Sequence, residues 1–231
     1  MGGAMFKNRE EAGRSLAQEF GEKIKKLRDL VVVALPRGGV PVAFEIAQRL
    51  KLPLDVFSVK KIGAPDNPEV ALGAVTEDGE VFLNREIVGH YKISKGEINL
   101  LIKETQAKAQ KQARKLRGER KSYDLIHKNI ILVDDGIATG ATIHVAINFL
   151  RQHGVNFIII AIPVCSKDSY EELKEMVDDF YVLEIPFYFS SVGSFYQHFP
   201  QVPCERVISL LQENRFTLDK IKLEGESYNE T

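Results

Sequence analysis

The stretch IILVDDGIATGATIHVAINFL, from Ile130 to Leu150, decides the fold class. An apolar run ends in two adjacent carboxylates, Asp134 and Asp135. A side-chain-poor segment, GIATGAT, follows, and then apolar residues resume at helical spacing. A strand that is apolar at successive positions is covered on both faces. Paired like charges do not belong inside such a strand, so the acids mark its end. Strand, short turn and helix form the repeating unit of a parallel sheet with right-handed crossovers.

The same alternation extends in both directions. LVVVAL (30–35) reads as a buried strand that stops at Pro36; PRGG turns, and VPVAFEIAQRL reads as a helix that tolerates Pro41 in its first turn. LDVFSVKKI (54–62) reads as the next strand and GAPDNPE as a loop. ALGAVTEDGEVFLN (71–84) reads as a hairpin closed by a two-residue turn at Asp78-Gly79. Ser94 and Glu97 form a capping box that opens a long polar helix to Arg120, basic in its later part. After the central stretch come a strand in VNFIIIAIPV, a helix KDSYEELKEMV capped by Ser166, and a strand DFYVLEIP. An aromatic loop, FYFSSVGSFYQHF, and a helix near 203–213 complete the core. Upstream, Leu16, Phe20, Ile24 and Leu27 give residues 8–29 a helical spacing, and the tail after Lys222 is expected to fray.

Composition sets the outer limits. The 231 residues suit one α/β domain with small additions. A net charge of −1 argues against a general nucleic-acid binder. Cys165 and Cys204 form no CxxC pair and have no histidine at metal spacing, so no zinc site is expected. No apolar run reaches the ~18 residues of a membrane span. The N-terminal MGGAMFKNREEAG lacks a signal pattern, and Phe6 stands where a myristoylation motif wants Ser or Thr. A cytoplasmic location is expected.

In folds of this class ligands bind beyond the C-terminal ends of the strands. Four segments lie there: PRGG, KKIGAP, DDGIATGAT and the aromatic loop. In DDGIATGAT, small residues from Gly136 to Ala141 let backbone N–H groups approach an anion, and the helix start adds its positive dipole end. Thr139 and Thr142 add hydroxyls. No GKS or GKT is present, so this is not a Walker loop, and GxGxxG is absent too. A phosphate would repel Asp134 and Asp135; ionised carboxylates accept hydrogen bonds, which suits vicinal hydroxyls. A ribose 5-phosphate satisfies both halves.

VDDGIATGAT resembles the phosphoribosyl-pyrophosphate (PRPP) motif of the type I phosphoribosyltransferases: a hydrophobic strand, two acids, and a turn ending in T-G-x-T. The resemblance implies an α/β fold, a parallel sheet with helices on both faces, a mobile loop and a hood. It places the core at 30–186, the insertion with the mobile loop at 63–120 and the hood at 187–215, within a single domain 1–222 followed by a frayed 223–231. It implies that Asp134 and Asp135 bind the ribose hydroxyls and that Ala138, Thr139, Gly140, Ala141 and Thr142 hold the 5-phosphate. Pyrophosphate falls to Arg37, Gly38 and Gly39, with Lys60 and Lys61, and Lys61 is favoured over Lys60. Arg37 and Lys61 join the two acids as the catalytic set. Phe187 and Phe189 are candidates for stacking on a heterocyclic acceptor, and the aromatic loop resembles that of a subgroup of phosphoribosyltransferase-like proteins.

The implied reaction is displacement at C1 of PRPP by a ring nitrogen, with Mg²⁺ carried mainly on substrate oxygens rather than in a protein cage. Ala138 stands where hypoxanthine-guanine enzymes carry an acid, which weakens a 6-oxopurine assignment and leaves the acceptor open. Two alternatives remain: a PRPP sensor without turnover, or an RNA-binding role for the basic helix at 103–121. Family members often dimerise, so a homodimer is also implied. The histidines are scattered, and His144 reads as packing or surface.

Overall fold

Apolar runs that can bury both faces define the centre of the molecule. In the computed structural model the described residues are 5–67, 70–118 and 124–227, with side chains described to residue 220. In chain order the elements are α1 (Arg9–Phe20), β1 (Leu30–Ala34), α2 (Gly39–Leu50), β2 (Leu54–Val56), β3 (Val59–Gly63), β4 (Ala71–Thr76), β5 (Val81–Leu83), α3 (Arg85–His90) and α4 (Lys95–Arg117). Then come β6 (Asn129–Val133), α5 (Ala141–Gln152), β7 (Phe157–Val164), α6 (Lys167–Leu173), β8 (Asp179–Glu184) and α7 (Cys204–Ser227).

Five strands form one parallel sheet in the order β2-β1-β6-β7-β8. Side-chain alternation splits its residues between two cores. Val32, Ala34, Ile131, Val133, Ile159 and Ala161 pack with residues of α1, α2 and α7. Val31, Val33, Ile130, Leu132, Ile158 and Ile160 pack with α5 on the other face. This is the α/β architecture expected from the alternation of strand and helix.

Several boundaries differ from expectation. Residues 54–62 do not make one strand: β2 belongs to the parallel sheet, whereas β3 joins β4 and β5 in a separate antiparallel sheet. Phe57 and Ser58 are buried across the junction, so the apolar pattern continues although the chain changes sheets. The hairpin loop holds Glu77, Asp78 and Gly79 between Thr76 and Glu80, longer than the two-residue turn expected. Gly79 takes φ +96°, and the Thr76 hydroxyl accepts from Glu80 N at 3.1 Å. Helix α1 ends at Phe20, before the poor helix former Gly21, although Ile24 still reaches the core. At the other end α7 runs to Ser227, past residue 213 and through the start of the tail expected to fray; residues 228–231 lie outside the described residues. The capping box at Ser94 and Glu97 is present as expected, and α4 ends at Arg117, with 119–121 outside the described residues.

The β3–β5 sheet has its own small core of Ile62, Ala64, Leu72, Val75 and Ile98. Its tie to the parallel sheet includes a buried ion cluster. Arg117 Nε lies 2.9 Å from Asp55 Oδ1, beside β1, and Nη1 lies 2.6 Å from Glu77 Oε2 in the hairpin loop. No described helix is long and apolar enough to cross a membrane.

Candidate functional site

Strand register brings the two most informative loops together. Ala34 pairs with Val133, so the chain leaves β1 and β6 side by side at the same sheet edge. Leu35 N donates to Val133 O at 2.9 Å, and the Pro36–Arg37 peptide beyond it is cis. Contact between the loops is close. A Cβ at Gly38 would lie 2.0 Å from Asp135 Oδ2, and one at Gly39 would lie 2.8 Å from Val133 O and from Asp134 Cα. Gly38 has an ordinary helical φ of −60°. Glycine is therefore required there by the neighbouring carboxylate and not by backbone conformation.

The turn after the acids is fastened from below. Ile137 N donates to Val164 O, and Ser166 N to Ile137 O, both at 2.9 Å. The hydroxyls of Ser166 and Ser169 both donate to Ala138 O, at 2.6 and 2.9 Å. Gly140, in the left-handed region at φ +69°, is the N-cap of α5 and supplies no side-chain cap. The start of α5 thus carries no side-chain cap hydrogen bond, as an anion cradle needs. Ala138 and Thr139 are exposed, and Thr142 is half-buried. A cavity of about 540 Å³ borders Thr139, Gly140 and Ala141 and continues to Lys61, Phe82 and His144 under the β3–β5 sheet.

His144 packs its ring 4.6 Å from Phe82, with Nδ1 3.2 Å from Asn148 Nδ2 and Nε2 3.9 Å from Glu172. It serves packing, as expected, and also lines this cavity.

The acids stand in a charge environment that the sequence reading missed. Arg9, on the first turn of α1 and only 7% exposed, places Nε 2.7 Å from Asp135 Oδ2. Its Nη1 donates to Pro200 O at 2.8 Å, and its guanidinium lies 3.6 Å from the Phe199 ring centroid. Tyr196 donates its hydroxyl to Asp135 O at 2.6 Å. Asp134 Oδ1 accepts from Asp135 N at 2.8 Å. Burial pushes the Asp134 carboxyl well above the usual carboxylate range, and the neighbouring Asp135 adds to the shift. Burial also raises Asp135, while Arg9 pulls it back. A signal for Arg9 was present: Arg9, Ala12, Gly13, Leu16, Ala17 and Phe20 form the buried stripe of α1, and a charge on such a stripe needs a buried partner.

The predicted cations do not sit where a parallel strand end would put them. Lys60 and Lys61 belong to β3 of the antiparallel sheet and point to opposite faces. Lys60 is half-buried; burial and then the charge of Arg37 lower its pKa. Lys61 lines the cavity beside the turn. Arg37 Nη1 is 3.9 Å from Cys204 Sγ at the start of α7. In the aromatic loop Phe187 and Tyr188 are 91% and 85% exposed and meet edge to face. Phe189 instead turns inward and packs against Phe195.

The family model "Phosphoribosyl transferase domain" matches residues 4–196. The chain belongs to the phosphoribosyltransferase family. Among its relatives in this family are two Mycobacterium tuberculosis proteins, "Putative phosphoribosyl transferase MT0597" of strain CDC 1551 and "Putative phosphoribosyl transferase Rv0571c" of strain H37Rv. Each is 37% identical over 207 residues, covering 90% of this chain and 46% of the relative. The chain thus spans about half the length of the curated relatives it matches. The crystal structure of TT1426 from Thermus thermophilus superposes with a TM-score of 0.78 at 37% identity, over 90% of this chain and 98% of that one. The phosphoribosyltransferase match takes in PRGG, the paired acids and the turn, and ends at Tyr196.

Proposed function

We propose that the protein transfers the 5-phosphoribosyl group of PRPP to a nitrogenous, nucleobase-like acceptor and releases pyrophosphate. The observation that carries this reading is the convergence of the Gly38–Gly39 backbone, the acid pair and the uncapped α5 N-terminus at one sheet edge. The three parts match the three parts of the donor. The turn from Ala138 to Thr142 offers N–H and hydroxyl donors to the 5-phosphate. Asp134 and Asp135 accept from the 2- and 3-hydroxyls of ribose. Loop 36–39 and the Lys60 and Lys61 strand bring cationic and backbone donors to the pyrophosphate.

In the reaction the bond from C1 to the pyrophosphate oxygen breaks, and its electron pair leaves with pyrophosphate. The lone pair of an acceptor ring nitrogen forms the new bond to C1, and the proton of that ring passes to water or to the departing pyrophosphate. Charge grows on the leaving group, so donors fixed before the reaction stabilise the transition state more than the ground state. Arg37 and Lys61 fill that role, and Lys60, whose ammonium is disfavoured beside Arg37, gains from an arriving anion. Mg²⁺, which keeps several waters and binds largely through substrate oxygens, would enter on the oxygens of PRPP and screen its charge. Phe187, exposed and edge to face with Tyr188, is the candidate ring for stacking on an acceptor; Phe189 is held in packing against Phe195.

Calorimetric titration with PRPP and Mg²⁺, followed by pyrophosphate release across a panel of bases, tests the reading. Asp134→Asn is expected to weaken PRPP binding about ten- to a hundredfold, the worth of a hydrogen bond to a charged group. Equal affinity in wild type and variant would sink the assignment. Tight binding without turnover on any base would favour a sensor.

A further inference from the structure

We propose that Arg9 is a positioning residue for sugar binding: it occupies one oxygen of Asp135 and leaves the other directed to a ribose hydroxyl. This rests on the ribose-phosphate reading above and adds a residue from outside the sheet. The geometry is specific. Arg9 Nε engages Oδ2; no N–H of the described residues is bonded to Oδ1, and the Asp134 carboxyl is the other side chain that Asp135 meets. The Asp135 side chain is 15% exposed, so little water reaches its oxygens. Its backbone is fixed separately, because Tyr196 donates to its carbonyl. The carboxylate can therefore neither rotate freely nor follow the β6 backbone away from the site.

Arg9 is itself held from two directions. Pro200 O accepts from Nη1, and the Phe199 ring lies against the guanidinium. Tyr196 stacks on Phe199 at 4.8 Å and meets Phe6 at 5.4 Å. Backbone bonds complete the clasp: Phe6 N to Phe195 O at 2.9 Å, Gln197 N to Phe6 O at 2.8 Å and His198 N to Lys7 O at 3.0 Å. The segment before α1 and the aromatic loop thus form one unit, and among the described residues Arg9 is its one ion pair with the acids. A planar guanidinium suits this place because one group can serve a carboxylate, a carbonyl and a ring at once.

The charged and titratable groups that face Asp135 are few. Arg9 comes from α1, Asp134 from the end of β6, and the Tyr196 hydroxyl from the aromatic loop; the loop after β1 presents the Gly38 backbone. Tyr196 is raised by burial far above neutral pH and does not titrate in the working range. Removing Arg9 leaves Asp135 buried beside another acid, which favours its protonated form. A protonated Asp135 is a poorer acceptor, and raising the pH restores it.

The test is the pH dependence of PRPP affinity, with Mg²⁺ present, from about pH 6 to 9 in wild type, Arg9→Met and Arg9→Lys, with circular dichroism checking the fold. Arg9→Met is expected to bind at least about tenfold more weakly than wild type near pH 6.5 and to recover as pH rises. Arg9→Lys keeps the charge without the fork, so it should hold the wild-type pH profile with a smaller, uniform loss; it also serves if Arg9→Met does not fold. Wild-type protein that binds no PRPP overturns the ribose-phosphate reading and the role of Arg9 with it. Wild-type protein that binds, with variants that match it or lose affinity equally at every pH, overturns the role of Arg9 alone.

Discussion

Gly38→Ala isolates the contact between the two loops. The backbone at Gly38 has φ −60° and ψ −38°, which alanine adopts without strain. The added methyl carbon, however, falls 2.0 Å from Asp135 Oδ2 and 2.6 Å from its Cγ. A carbon and a carboxylate oxygen cannot approach closer than about 3 Å, so one of them must move by about 1 Å. Asp135 cannot yield without lengthening its 2.7 Å bond to Arg9. Loop 36–39 cannot yield without drawing away from the acids. Overpacking of this kind costs about 1–3 kcal/mol, which for a domain of this size lowers Tm by about 2–12 °C. Gly89→Ala, with nothing within 4 Å of the added methyl, is the control; inside helix α3 it should be neutral or stabilise by up to about 1 kcal/mol. Thermal melts and PRPP titrations of both variants provide the assay. If Gly38→Ala melts with wild type and binds PRPP equally well, the loops do not hold each other as described.

Because burial raises the Asp134 pKa, the folded state binds more protons than the unfolded one above the ordinary value of about 4. Ionising this group therefore costs stability as pH rises toward the folded pKa. Asp134→Asn should melt higher than wild type near pH 7.5, with the gap closing toward about pH 4, and lose PRPP affinity; a gap that widens on acidification refutes the cause given. Arg117→Met leaves Asp55 and Glu77 without their buried partner and should cost about 3–5 kcal/mol by urea unfolding. Ser169→Ala removes one of two hydroxyls from Ala138 O and should cost about 1 kcal/mol, with a larger effect on phosphate-dependent binding than on Tm.

The centre of the sheet was legible because its inner strands are apolar at nearly every position, so LVVVA, NIILV and FIIIAIPV stand out without any periodicity. The turn was legible because small residues, paired acids and a helix start follow each other without a gap. The change of sheets at Phe57 and Ser58 was not, since burial on either side looks the same in sequence. Arg9 leaves little trace because the large apolar residues of the α1 stripe begin only at Leu16, more than a turn beyond it. Nor could composition separate Phe187, exposed to solvent, from Phe189 and Tyr196, turned into the clasp. Which ring turns inward depends on the segment before α1, at the opposite end of the chain, and local pattern holds no record of such a pairing.

Ile62, Leu72, Val75 and Ile98 bury one another rather than the central strands, and the Arg117 cluster fastens the far end of α4. A unit with its own core can open without unravelling its neighbour once Val59, Ala74 and Phe82 part from the α5 side of the central core. Amide hydrogens of β4 should then exchange with solvent together, through a cheaper opening than those of β6. The sheet over the turn at Thr139–Ala141 would behave as a foldon fastened by the Arg117 ion cluster and by its contact with α5, while the floor stays closed.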